Sequence, residues 1–301
     1  MRTKTTILKI STVLIISAAI FVIGCKKDSG SSSGNTPNGA QTMSANGATA
    51  DGAYSDAFGV ALQAGNDNNI NSLVAQKQQG GKTTNSIHGV NGVNGFYCAN
   101  ITLATTAGDF PDTLTVDFGN GCTSSGDGIT RSGSITYIYS GRLSTPGTVV
   151  TASFNNYTVN HYQLTGSYKI TNNSSLTNFS LKADVTNGTI TYPNDSVYSF
   201  SGTRTWTLNT PIDSTVFLNN SFDITGNYTI TNASGASLTA TISTPLLRQL
   251  TCPFIVSGVT AFVYTSGSVV VDGTLDYGNG VCDNKALVTI GSTAITVSLP
   301  F

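Results

Sequence analysis

The chain has 301 residues, a formal net charge of −1 and charged side chains at only 10% of positions, so it offers no basic surface of the kind that holds nucleic acid. All fifteen acidic residues are aspartates, with no glutamate, in a sequence rich in Gly, Thr, Ser and Asn. Asp and Asn favour turns, Thr, Val and Tyr favour strands, and Glu favours helices; the composition therefore predicts an all-β body and argues against a helical bundle.

At the N-terminus, Arg2, Lys4 and Lys9 precede an apolar run from Ile10 to Ile23, and Val22-Ile23-Gly24-Cys25 closes it. That order is a secretory signal, and the run is shorter than the roughly 20 residues that span a bilayer. The segment resembles the lipobox of bacterial lipoproteins, with Val22 where leucine is usual. The resemblance implies removal of residues 1–24 and a diacylglyceryl group on the Cys25 thiol. Lys26-Lys27-Asp28 resembles the export signals of Bacteroidota lipoproteins, which implies a lipid-anchored outer-membrane protein at the cell surface; a periplasm-facing anchor is the alternative. Residues 25–49 are almost all small and polar and read as a flexible tether with a mean reach of about 25 Å.

Residues 50–95 read as a short helical or irregular cap. Tyr54, Phe58, Ala61 and Leu62 recur at helical spacing between Asp51 and Ala64, although Gly52 and Gly59 each weaken a helix by about 1 kcal/mol, and a second segment runs from Ile70 to Gln78. From about Phe96 the period changes to two. Phe179, Leu181, Ala183 and Val185 alternate with Ser180, Lys182, Asp184 and Thr186, and the same pattern returns in Ile135–Tyr139, Val150–Phe154, Tyr198–Leu208, Leu238–Ile242, Val269–Leu275 and Ile295–Phe301. The expected fold is all-β: an antiparallel meander of about twelve to fourteen strands over 96–301, forming a β-sandwich or curved sheet.

Two internal repeats suggest related halves, 96–210 and 211–301. Thr115-Val116-Asp117-Phe118-Gly119-Asn120-Gly121-Cys122 matches Thr274-Leu275-Asp276-Tyr277-Gly278-Asn279-Gly280-Val281-Cys282, and Leu164–Asn172 matches Ile224–Asn232. Apart from Cys25, the four cysteines Cys98, Cys122, Cys252 and Cys282 allow three pairings. The repeat selects Cys98–Cys122 and Cys252–Cys282, because Cys122 and Cys282 close equivalent turns and each has a partner one hairpin upstream. Asp117 and Asp276 are expected to accept backbone N–H bonds that fix those turns.

No motif assigns a reaction, a cofactor or a metal. Zinc would want a C-x-x-C pair, which is missing, and the histidines are only His88 and His161. Asp276, Asn279, Asp283 and Asn284 offer oxygen ligands for calcium but at no standard loop spacing. Tyr198, Phe200, Arg204 and Trp206 share one face of a strand and form the candidate ligand face, where aromatics stack on sugar rings and Arg204 covers Trp206; the competing reading places them in the core. Asp117-Phe118-Gly119-Asn120-Gly121-Cys122, Thr130-Arg131-Ser132-Gly133, Pro146–Val150 and Leu275–Asn284 together resemble a family of Bacteroidota lipoproteins without an assigned activity. The resemblance spans roughly residues 98–301, implies an envelope location and disulfides, and transfers no catalytic residue. The leading expectation is a non-catalytic envelope protein that touches the membrane through its lipid and binds a glycan or another envelope protein, with no nucleic acid. A secreted hydrolase such as an Asp-based glycosidase and a carrier of an apolar molecule are the alternatives. The intact mass of the natively expressed protein is expected to be that of residues 25–301 plus acyl chains; an unlipidated chain retaining residues 1–24 would refute the anchor.

Overall fold

The computed structural model describes residues 36–67, 98–105, 110–209 and 220–301. The signal region, Cys25, Lys26-Lys27-Asp28, the segment Ile70–Gln78, His88 and the boundary near 210 lie outside the described residues. The described chain is one α-helix and a single antiparallel sheet of 14 strands. The helix α1 (Thr36–Asp67) comes first. It is followed by β1 (Asn100–Ala104), β2 (Asp112–Asp117), β3 (Cys122–Thr123), β4 (Thr130–Tyr139), β5 (Val149–Val159), β6 (Tyr162–Asn172) and β7 (Ser180–Thr191). Then come β8 (Val197–Leu208), β9 (Ser221–Asn232), β10 (Ser237–Gln249), β11 (Ile255–Ser266), β12 (Val269–Asn279), β13 (Lys285–Ile290) and β14 (Thr293–Ser298). Each strand pairs with the next along the chain, except that β2 and the short β3 both pair with β4.

The all-β meander is thus the curved-sheet form of the expectation rather than a sandwich. Alternating strands such as β11 bury every second side chain, which gives the sheet one apolar face. Register shifts recur in the pairings of β4 with β5, β6 with β7, β9 with β10 and β11 with β12, and such bulges bend strands and raise the local twist. The two repeated Thr-Gly steps sit at these shifts. Gly166 (φ 102°) and Gly226 (φ 134°) have backbone dihedrals that favour glycine, and a Cβ on either would fall within 2.5 Å of backbone atoms of a neighbouring strand. The expected halves do not separate, because β8 and β9 pair from Tyr198↔Asn232 to Leu208↔Phe222 and carry the sheet across.

The sheet curls around α1, so the helix is enclosed rather than set on the body as a cap. Within about two turns of α1, Asp56 meets Arg131 of β4, Tyr54 stacks on Phe200 of β8, and Gly52 lies against Phe301 beyond β14. Residues 36–49, expected in the tether, form the first half of this helix, and Ala40, Met43, Ser44 and Ala48 are buried. Small residues read as linker when water is the assumed neighbour. Here they let a wall of aromatics approach the helix axis. A Cβ on Gly47 would stand 2.7 Å from the Tyr228 ring, whereas one on Gly59 would meet nothing within 4 Å.

Tyrosines tie the sheet to the helix. The Tyr137, Tyr139 and Tyr192 hydroxyls donate to the carbonyls of Ala57, Ala61 and Asn46 at 2.7, 3.0 and 2.6 Å, and Tyr54 donates back to Thr165 O at 2.8 Å. Burial pushes the Tyr137 and Tyr139 phenols up, so they remain neutral donors. At the C-terminus the expected strand 295–301 stops at Ser298. Pro300 has no N–H for a ladder, its carbonyl accepts from Asn160 Nδ2 at 3.1 Å, and Phe301 packs edge-on to Tyr162.

The two disulfides are Cys98–Cys122 and Cys252–Cys282, closing separations of 24 and 30 residues as the repeat indicated. The two Asp turns also match: Gly119 N donates to Asp117 Oδ1 at 2.9 Å and Gly278 N to Asp276 Oδ1 at 2.8 Å. Because helix and sheet meet closely at one glycine and not the other, Gly59→Ala is expected to stabilise the protein by about 0.5–1 kcal/mol through helix propensity. Gly47→Ala is expected to destabilise it by about 1–3 kcal/mol through overpacking, and urea unfolding of the two variants measures the contrast.

Candidate functional site

Between α1 and the concave face of the sheet lies a cavity of about 290 Å³. The helix contributes Phe58 and Leu62, and β8 contributes Trp206; β9 adds Phe222 and Ile224, and β10 adds Leu246 and Arg248. Leu250 and Pro253 from the β10–β11 connection and Leu299 and Phe301 from the C-terminus complete walls that are mostly apolar. The polar groups are three aspartates and three arginines, with Ser55, Gln63, Thr251 and Tyr277 beside them.

Three strand arginines reach this cavity: Arg131 near the start of β4, Arg204 within β8 and Arg248 near the end of β10. Arg204 holds Asp51 of the helix in a two-point pair, Nη2 to Oδ1 at 2.9 Å and Nε to Oδ2 at 3.2 Å, donates to Thr203 O at 3.1 Å, and lies 5.1 Å above the Tyr228 ring. Arg131 binds both oxygens of Asp56 and, through Nη2, Asp127 Oδ2 at 2.7 Å. Tyr157 completes the Asp56 shell by donating to Oδ2 at 2.6 Å. Arg248 is paired with β9 and β11 through the sheet, but its side chain makes no hydrogen bond or ion pair among the described residues. Burial lowers its guanidinium to about 10, against the opposing pull of Asp56 and Asp127. Burial likewise pushes the Asp51 carboxyl up, with Arg204 opposing it.

The candidate ligand face proves to be an inner face. Phe200 and Trp206 are buried, and Phe200 stacks on Tyr54 at 4.9 Å and Trp206 on Phe58 at 4.6 Å. Arg204 covers Tyr228 rather than Trp206, because its tether to Asp51 draws it toward the helix. Tyr198, at the strand's other end, accepts from Asn46 Nδ2 at 2.9 Å and packs edge-on to Tyr192. The face is therefore split: Phe200 is core, while Arg204 and Trp206 also border the cavity.

Sequence reasoning missed Arg131, Arg248, Asp51 and Asp56 as site residues. A signal was present, since the chain has only five arginines and three of them interrupt strand patterns. The suspected calcium ligands serve turns instead: Asp283 Oδ1 accepts from Lys285 N at 2.9 Å, as Asp276 does from Gly278 N. No cluster of three His, Cys, Asp or Glu side chains that could hold a metal ion occurs among the described residues. His161 occupies the β5–β6 turn with Asn160, both at positive φ, the geometry of a tight hairpin. No helix among the described residues is long and apolar enough to cross a membrane.

Arg131→Met would leave Asp56 and Asp127 without their cation, so it is expected to cost about 3–5 kcal/mol in urea unfolding, much of it recovered when both aspartates are also changed to Asn. Compared with protein-family models, with curated proteins and with solved structures, the chain gives no match in any of the three.

Proposed function

We propose that this is a lipid-anchored envelope protein with a binding role, which holds a small, largely apolar molecule between α1 and the concave face of its sheet. The location rests on the signal-like N-terminus ending at Cys25 and on two disulfides, which suit an oxidising compartment. One observation carries the binding reading: the cavity of about 290 Å³, close to the lower end of the roughly 300–1,000 Å³ usual for small-molecule sites. Most of its walls come from the helix and paired strands, with the β10–β11 connection and the C-terminal tail closing it, so much of the space is preformed. Mostly apolar walls with a limited set of polar groups are the pattern of such sites.

A second reading, a hydrolase, is favoured by one observation. The Asp51 carboxyl borders the cavity and is pushed up by burial, as the acid of a glycosidase must be. Against it, both Asp51 oxygens are engaged by Arg204.

Trp206 is the only tryptophan and it borders the cavity, so occupancy has its own optical reporter. Titrating phenylnaphthylamine or decanol into the full-length protein is expected to change Trp206 emission saturably, with one site by calorimetry. Absence of saturable binding by either probe would overturn the binding reading. Turnover of a glycoside that Asp51→Asn abolishes would replace it with the hydrolase.

A further inference from the structure

We propose that the molecule held in this cavity is a medium-chain carboxylic acid and that Arg248 seats its carboxylate, an inference that rests on the cavity being a binding site. The argument begins with the unequal state of the three guanidiniums. Arg131 and Arg204 are engaged by Asp56, Asp127 and Asp51. Arg248 is not, although its five N–H donors form a planar fork that matches a carboxylate. Asp56 and Asp127 act on it through space while bonding to Arg131.

Position makes the unmet donors informative. Arg248 pairs in register with Phe222 on β9 and with Ile255 on β11, and all three side chains line the cavity. Arg248 is only partly buried, so its donors open to the cavity rather than to a protein acceptor, within reach of a bound carboxylate. A ligand that brings an acceptor to Arg248 and lays an apolar chain along Phe222, Leu246 and Leu250 satisfies both kinds of surface at once.

Charge and size narrow the class further. Asp51, Asp56 and Asp127 formally balance Arg131, Arg204 and Arg248, so the site accepts one added negative charge more readily than two, and a carboxylate more readily than a phosphate dianion. A volume of about 290 Å³ suits one short acyl chain rather than a membrane phospholipid with two.

Calorimetry with decanoate, decanol and decyl phosphate on the full-length wild-type protein, Arg248→Met and Arg248→Lys tests the assignment. Decanoate is expected to bind wild type more tightly than decanol or decyl phosphate. Arg248→Met is expected to weaken decanoate about ten- to a hundredfold and decanol, an uncharged acceptor, far less, with Arg248→Lys between. An unaltered urea unfolding midpoint reports that the Met variant is folded. Equal affinity of wild type for decanoate and decanol, decanoate binding that survives Arg248→Met, or preference for decyl phosphate would overturn the role of Arg248 while leaving the cavity a binding site. Binding of none of the three would overturn both.

Discussion

The close fit of a small-residue helix inside an aromatic-lined sheet is the constraint on which the rest of this structure depends. A helix of 32 residues is about 48 Å long, and α1 has glycine at positions 39, 47, 52, 59 and 65 among its many alanines. Such a sequence has little helix propensity of its own and is held by tertiary packing. The sheet supplies what the helix lacks: Tyr137, Tyr157, Tyr168, Trp206 and Tyr228 are buried on its inner face. Large side chains on one surface meet small ones on the other, as where Tyr228 approaches Gly47.

Polar groups lock this arrangement in one register. The pairs Asp51–Arg204 and Asp56–Arg131 place charge inside the fold, and each joins the helix to a different strand. Buried pairs of this kind add little net stability against an apolar replacement, yet losing one partner is severe. Their effect is to favour the helix position in which both pairs and the tyrosine-to-carbonyl bonds form together. Where the complementarity of small and large lapses, between α1 and strands β8 to β12, the cavity with Arg248 remains. Binding site and packing are therefore two results of one enclosure.

Much of the β architecture was legible because strand alternation and turn chemistry are local. Leu181 to Thr186 alternates in sequence and in burial, although Ser180 before it is buried and Phe179 only partly so, and the repeated Asp-aromatic-Gly-Asn-Gly segments led to both the Asp117 and Asp276 turns and the disulfide partners. The first half of α1 was not legible, since Gly, Ala, Ser and Asn at 36–49 have the composition of a solvated linker and become helix only inside a sheet. The parity of Tyr198, Phe200, Arg204 and Trp206 was visible, but whether that face met solvent or protein was not.

By itself the sequence determined the strand period, the turns, the cysteine pairing and the signal-like N-terminus, because each depends on residues that are neighbours in the chain or copies of one another. Only the tertiary structure decided that the sheet curls about the helix, that Asp51 and Asp56 meet Arg204 and Arg131, and that the Arg248 side chain borders the cavity without a bonded partner among the described residues. Those outcomes depend on the summed bends of many strands, and bulges in strands far apart in the chain set which side chains converge.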